Sequence, residues 1–133
     1  NDILMLHAMA DGKKILLVED DILLRDMYSA KFGREGFDVH KAENGSEGVK
    51  MARELKPDVI LLDIIMPKMD GFAALKELRK KAETKDIPVI LLTNLGQDQD
   101  IEKGKKLGAD DYFIKANHTP TEIVEKVRVL LEK

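Results

Sequence analysis

The 133-residue chain has no cysteine, only four prolines, and 5% aromatic residues. Without cysteine, disulfide frameworks, thiolate zinc sites and cysteine nucleophiles are excluded. Long apolar runs are also missing. None approaches the roughly 20 residues that span a bilayer, and no basic segment followed by an apolar stretch marks a signal peptide. Positive charge is not in excess: 22 Lys and Arg against 25 Asp and Glu give a net charge of −3. That balance lowers the odds of a nucleic-acid-binding domain without excluding a basic patch, and neither a direct nucleic-acid partner nor a membrane partner is expected. What is present is 44% hydrophobic and 35% charged residues, the composition of a globular domain long enough to bury a core. A single cytoplasmic domain is the expectation.

From Lys14 onward, short apolar runs alternate with longer segments of helical period. Lys14-Ile15-Leu16-Leu17-Val18 ends abruptly in Glu19-Asp20-Asp21. Leu23, Leu24, Met27, Tyr28 and Phe32 then recur at helical spacing until Gly33 and Gly36. Phe37 to His40 alternates as a short strand. Asn44 caps a helix through Leu55 with Gly48, Val49 and Ala52 inward, and Pro57 stops it. Val59 to Leu62 is a strand running into Asp63. Phe72, Leu75, Leu78 and Ala82 mark a helix after Asp70-Gly71. Ile87 to Leu92 and Tyr112 to Ile114 are two more strands, separated by the polar stretch from Gln97 to Leu107. Thr119, Pro120 and Glu122 form a helix start, as cap, first residue and third residue. Ile123, Val124, Val127, Leu130 and Leu131 give that last helix an apolar stripe.

Five strands alternating with five helices, too far apart for hairpins, predict an α/β fold: a doubly wound five-stranded parallel sheet with helices on both faces. The expected strand order is 2-1-3-4-5, flavodoxin-like, with ligands outside the carboxyl ends of the strands. Residues 1–12 stand apart from the alternation. They read as an N-terminal extension, tag-derived or disordered, with Met9 a candidate natural start and 13–133 the domain.

The strand ends carry the chemistry. In the expected order, Glu19-Asp20 and Asp63 end neighbouring strands, so three carboxylates meet in one pocket. Carboxylates that close repel unless a cation joins them, and sparse carboxylates with water suit Mg²⁺ better than Ca²⁺. The fourth strand ends in Thr93 and the fifth runs into Lys115. A metal, a hydroxyl, an ammonium and a nucleophilic carboxylate together make a set that can hold and accept a phosphoryl group.

Those residues, as ILLVED (Ile15 to Asp20), DIIMPKMDG (Asp63 to Gly71), Thr93 and YFIK (Tyr112 to Lys115), resemble the receiver domain of bacterial two-component response regulators, here of single-domain type. The resemblance runs over Lys14 to Lys133. It implies that Asp63 is the phosphoacceptor and that Thr93 and Lys115 complete the reaction centre. By the same resemblance Glu19, Asp20, Asp63 and the backbone carbonyl of Ile65 serve Mg²⁺. Thr93 and Tyr112 become the switch residues. The implied activity is phosphorelay signalling, with a sensor histidine kinase or histidine phosphotransfer protein as donor and no enzymatic turnover beyond self-phosphotransfer and self-dephosphorylation. The implied output surface is the fourth helix, fifth strand and fifth helix, offered to a target protein or a second copy. The polar stretch from Gln97 to Leu107, with only Ile101 and Leu107 as a stripe and Gly104 inside, reads as the least anchored helix. No output domain is expected in this chain.

Three positions depart from the commonest family pattern. Ala116 follows Lys115 where a proline is typical, so a trans peptide is expected there. Asn94 follows Thr93 in place of a small residue. Ile65 is apolar, which predicts restricted access of hydrolytic water and a longer-lived phosphorylated state. His7, His40 and His118 share no metal-ligand spacing, and Lys80-Lys81 and Lys105-Lys106 read as solvated helix ends. Two other functions stay open: an Mg²⁺-dependent phosphatase with an aspartyl nucleophile, disfavoured by Ile65 where a second acid is expected, and a pseudo-receiver that works without phosphorylation.

Overall fold

Each apolar run becomes a strand, and the helices between them return the chain in one direction. The computed structural model describes residues 12–132. The expectation for the N-terminal extension falls outside these residues apart from Gly12, whose amide donates to the Gly36 carbonyl at 3.0 Å. The elements are β1 (Lys14–Val18), α1 (Ile22–Arg34), β2 (Asp38–Ala42), α2 (Gly45–Leu55), β3 (Val59–Leu62), α3 (Gly71–Lys80), β4 (Val89–Thr93), α4 (Asp98–Lys106), β5 (Asp111–Ile114) and α5 (Pro120–Glu132). All pairings are parallel, in the order β2-β1-β3-β4-β5. This is the doubly wound, flavodoxin-like fold expected from the alternation.

Successive strand residues face opposite sides, and the core divides accordingly. Ile15, Leu17, Val59, Leu61, Ile90, Leu92 and Phe113 pack against Tyr28 and Phe32 of α1 and Ile123, Val124 and Val127 of α5. Leu16, Val18, Ile60, Leu62, Val89 and Leu91 face Ala52 of α2 and Phe72, Ala74, Leu75 and Leu78 of α3. With both faces covered, β3 is apolar throughout, and β1 and β4 are apolar except at Lys14, which opens β1, and Thr93, which ends β4.

Local rules fix the helix starts. Asp21 accepts the amides of Leu23 and Leu24, Asn44 that of Glu47, and Asp70 that of Ala73. Thr119 and Glu122 exchange reciprocal bonds as a capping box. Two expectations need correcting. On α1 the inward face carries Arg25, Tyr28 and Phe32, whereas Leu23 and Met27 are 78% and 41% exposed. The apolar residues there form a second, outward stripe. Ala82 lies beyond the end of α3 and is exposed; the chain turns at Lys81, held by the Thr84 hydroxyl donating to the Leu78 carbonyl at 2.6 Å.

Candidate functional site

Strand register places the acidic residues together. Val18 is paired with Leu62, so the next residues, Glu19 and Asp63, leave neighbouring strands at the same level. The Asp63 amide donates to the Val18 carbonyl at 3.0 Å, and the Glu19 amide donates to the Ala42 carbonyl at 3.0 Å. Carboxylate oxygens of Glu19, Asp20 and Asp63 lie within 4.8 Å of one another. Glu19 and Asp63 are buried, while Asp20 is exposed and forms the open side.

Lys115 comes from the far end of the sheet, just past the Thr93–Ile114 pair that ends β4 and β5. Its side chain is 8% exposed, and the ammonium donates to Asp63 Oδ2 at 2.9 Å and to Glu19 Oε1. Asp63 Oδ1 accepts the Ile64 amide at 2.7 Å, and Glu19 Oε2 accepts the Asp21 amide at 3.1 Å. Burial pushes the Glu19 carboxyl up to about 7 despite the Lys115 hydrogen bond, and the Asp63 charge adds to the rise. Burial pulls the Lys115 ammonium down, but its bonds to Glu19 and Asp63 outweigh that and hold it above its ordinary value. The pocket thus holds hard oxygen donors around a fixed cation, with one side open.

Thr93 and Tyr112 do not touch that cluster. Both hold Leu95 instead: the Thr93 hydroxyl accepts the Leu95 amide at 3.4 Å, and the Tyr112 hydroxyl donates to the Leu95 carbonyl. Burial pushes the Tyr112 hydroxyl up to about 12, reinforced by Asp100 and Asp63, so it stays a donor at neutral pH. The Tyr112 ring packs beneath Gly104 of α4, where a Cβ would stand 3.1 Å from the ring and 2.8 Å from Leu91. Gly104 is the buried residue of α4, and the Gln97 side chain makes no capping bond.

A model of the response regulator receiver domain matches residues 15–128. The chain belongs to this family. PilH of Pseudomonas aeruginosa is 46% identical over 102 residues, which is 77% of this chain and 84% of that protein. RpaA of Synechocystis, a DNA-binding transcriptional regulator, is 42% identical over 120 residues, 90% of this chain and 49% of its own length. The chain therefore spans about half the length of RpaA, and 53% of Escherichia coli PhoB. Among solved structures, the receiver domain of the sensor histidine kinase PA1611 of P. aeruginosa superposes with a TM-score of 0.84 at 28% identity, covering 92% of this chain and 99% of that one. That structure has a magnesium ion coordinated in its active site cleft. Vibrio cholerae CheY4 superposes with a TM-score of 0.83 at 30% identity, covering 89% of this chain and 98% of its own.

The receiver brings Glu19, Asp20, Asp63 and Lys115 into one cluster and sets Thr93 on β4 and Tyr112 on β5 outside it. Ile65, two residues past Asp63, is 63% exposed. The motif after Asp63 is explained by close backbone approach. A Cβ on Gly71 would lie 2.1 Å from the Asp63 carbonyl oxygen, and the Gly71 amide donates to the Ile64 carbonyl at 2.8 Å. Asp70 caps α3 one residue earlier. The peptide between Lys115 and Ala116 is trans, and Lys115–Asn117 forms a 3-10 turn. His118 packs edge-on against Phe113, with ring centroids 5.3 Å apart, and its Nδ1 lies 3.9 Å from Glu122 Oε2.

Arg25 is the residue that motif reading passes over. Its guanidinium donates to the Glu19 carbonyl at 2.9 Å and the Asp20 carbonyl at 3.4 Å from beneath the loop. The available signal was its spacing: positions 25, 28 and 32 share one face of α1, so a basic residue stands in register with two buried aromatics.

Proposed function

We propose that this receiver takes a phosphoryl group from a phosphohistidine onto Asp63, with Mg²⁺ held by Glu19, Asp20, Asp63 and the Ile65 carbonyl. The observation that carries the reading is the meeting of the Asp63 carboxylate with Lys115, Glu19 and Asp20 at adjacent strand ends. The donor set fits the ion, since all its side-chain ligands are carboxylate oxygens and Asp20 leaves one side open for water and phosphoryl oxygens. When bound, Mg²⁺ supplies positive charge to the phosphoryl oxygens in the transition state.

An Asp63 oxygen attacks phosphorus, forming the O–P bond as the N–P bond to the donor imidazole breaks and its electron pair stays on nitrogen. Lys115 trades part of its bonding to Asp63 for a phosphoryl oxygen and keeps the developing charge compensated. The Thr93 hydroxyl, at the end of the next strand, donates to another phosphoryl oxygen once it turns from Leu95. That turn frees the Leu95 amide. With Tyr112 bonded to the carbonyl of the same residue, the β4–α4 loop and the face of α4, β5 and α5 shift together toward a partner. A helix that buries a glycine and lacks a side-chain cap offers little resistance.

The donor is a cytoplasmic sensor kinase or histidine phosphotransfer protein. Ile22, Leu23 and Met27 on α1, together with Ile65, give the rim exposed apolar contacts for it. The net charge of −3 supports a protein partner, or a second copy on the α4-β5-α5 face, over direct nucleic-acid contact. No helix among the described residues is long and apolar enough to cross a membrane. The receiver is a phosphoacceptor and not a turnover enzyme.

Incubation with Mg²⁺ and acetyl phosphate, followed by intact-mass measurement, tests this. A Mg²⁺-dependent gain of one phosphoryl group, absent in Asp63→Asn, is expected. No gain would favour a pseudo-receiver, and sustained hydrolysis of a small phosphoester would favour a phosphatase.

A further inference from the structure

Arg25 occupies a place where a charge needs a reason. It is 9% exposed, on the face of α1 that otherwise buries Tyr28 and Phe32. Buried guanidinium groups are found where partners compensate the desolvation. Its nearest carboxylate, Glu43 Oε1, is 3.8 Å away on a side chain 69% exposed, a pair of little energetic weight. The closer partners are the peptide carbonyls of Glu19 and Asp20.

We infer that Arg25 is a positioning residue for the Mg²⁺ site, holding the Glu19-Asp20 backbone so that both carboxylates face the pocket. This rests on the metal reading above. Holding a residue's carbonyl fixes its ψ, and with it the direction in which the next peptide and its side chain leave. The loop has few other restraints. Asp20 and Asp21 are exposed, and the chain must turn from a buried strand into a helix within three residues. Asp21 is bound on its far side as the α1 cap, and its amide bonds Glu19 Oε2. Arg25 adds the restraint from below, one helical turn after Asp21, so the rigid body of α1 sets the position of both acids.

The sign of the effect separates positioning from charge. An Arg bonded to the backbone of two metal-site residues opposes a divalent cation by its charge alone, so removing it would tighten Mg²⁺ binding if through-space electrostatics dominated. Positioning predicts the reverse. Losing an outer partner of metal ligands typically weakens affinity about 10- to 100-fold. Lysine keeps the charge but lacks the planar fork that spans two carbonyls.

The test is Mg²⁺ titration of the full chain by calorimetry for wild type, Arg25→Met and Arg25→Lys, with urea midpoints and amide exchange at Asp21 recorded without metal. Binding weakened about 10-fold or more in both variants, with faster Asp21 exchange in folded protein, is the expected result. Unchanged affinity in either folded variant, or tighter binding by Arg25→Met, overturns the inference while leaving the metal site intact. Absence of Mg²⁺ binding by the wild type overturns the metal reading itself, and this inference with it. Should Arg25→Met not fold, Arg25→Lys alone decides.

Discussion

The Lys115 ammonium donates to Asp63 Oδ2 at 2.9 Å, across the carboxyl edge of the sheet, and it also bonds Glu19. One cation therefore compensates two buried carboxylates. Replacing Lys115 by Met keeps the stem and removes the charge, leaving Glu19 and Asp63 facing each other unpaired. Leaving one side of a buried pair costs more than the pair contributes, about 3–5 kcal/mol when one partner is removed. Lys115→Met is expected to lose roughly that stability in urea unfolding with chelator present. Adding Mg²⁺ should stabilise the variant more than the wild type. Equal Mg²⁺ stabilisation of both proteins would count against a shared pocket.

Much of this geometry is legible in the sequence alone, for a physical reason. A fully buried parallel strand is an unbroken apolar run, so its end is marked sharply by the first charge; Val18-Glu19 and Leu62-Asp63 are such boundaries. Once the strand order is known, parallel register places residues with the same offset side by side. Helix faces were less legible. On α1, Leu23 and Met27 satisfy helical spacing as well as Tyr28 and Phe32 do, and nothing in composition says which stripe meets the sheet. Arg25 was missed for the same reason, because its partners are backbone carbonyls and carry no side-chain signature. The mutual grip of Thr93 and Tyr112 on Leu95 depends on a loop conformation that spacing does not encode.

Two glycines separate close approach from mere helix content. A Cβ on Gly71 would stand 2.1 Å from the Asp63 carbonyl oxygen and 2.7 Å from the Ile64 Cα, both backbone atoms that cannot yield without moving the loop that carries Asp63. Gly71→Ala is expected to cost about 1–3 kcal/mol, as overpacking does, and to slow phosphorylation by acetyl phosphate. Gly33, inside α1, has nothing within 4 Å of the same position. Gly33→Ala should stabilise by up to about 1 kcal/mol through helix propensity and leave phosphorylation unchanged. Thermal melts of the two variants side by side make the comparison.

Glu35 and Arg128 tie the end of α1 to α5, with Arg128 Nη2 2.7 Å from Glu35 Oε2. The Arg128 hydrogen bond holds the Glu35 carboxyl below its ordinary value of 4.5, with Lys31 adding to it. A carboxyl with a depressed folded-state pKa contributes stability that is complete above the unfolded value and is lost as pH falls through the folded one. The contribution of this pair should therefore be present above about pH 4.5 and vanish below it. Urea midpoints across that window should fall with acid more steeply in the wild type than in Glu35→Gln. Parallel curves would show that the pair does not couple folding to this titration.

Ile65 stands two residues past Asp63 and is 63% exposed. Hydrolysis of an aspartyl phosphate needs a water in line with the O–P bond, opposite Asp63. An aliphatic side chain at the rim excludes such a water and offers it no hydrogen bond, whereas an amide can orient one. Ile65→Asn should therefore release phosphate severalfold faster from acetyl-phosphate-labelled protein, with the rate of labelling little changed. Because Ile65 is exposed and makes no polar contact through its side chain, the substitution should leave the urea midpoint within about 0.5 kcal/mol of wild type, so a change in lifetime reports on water access and not on folding. An unchanged phosphate-release rate would place control of the phosphorylated lifetime elsewhere, with Asn94, exposed beside Thr93, the next position to vary.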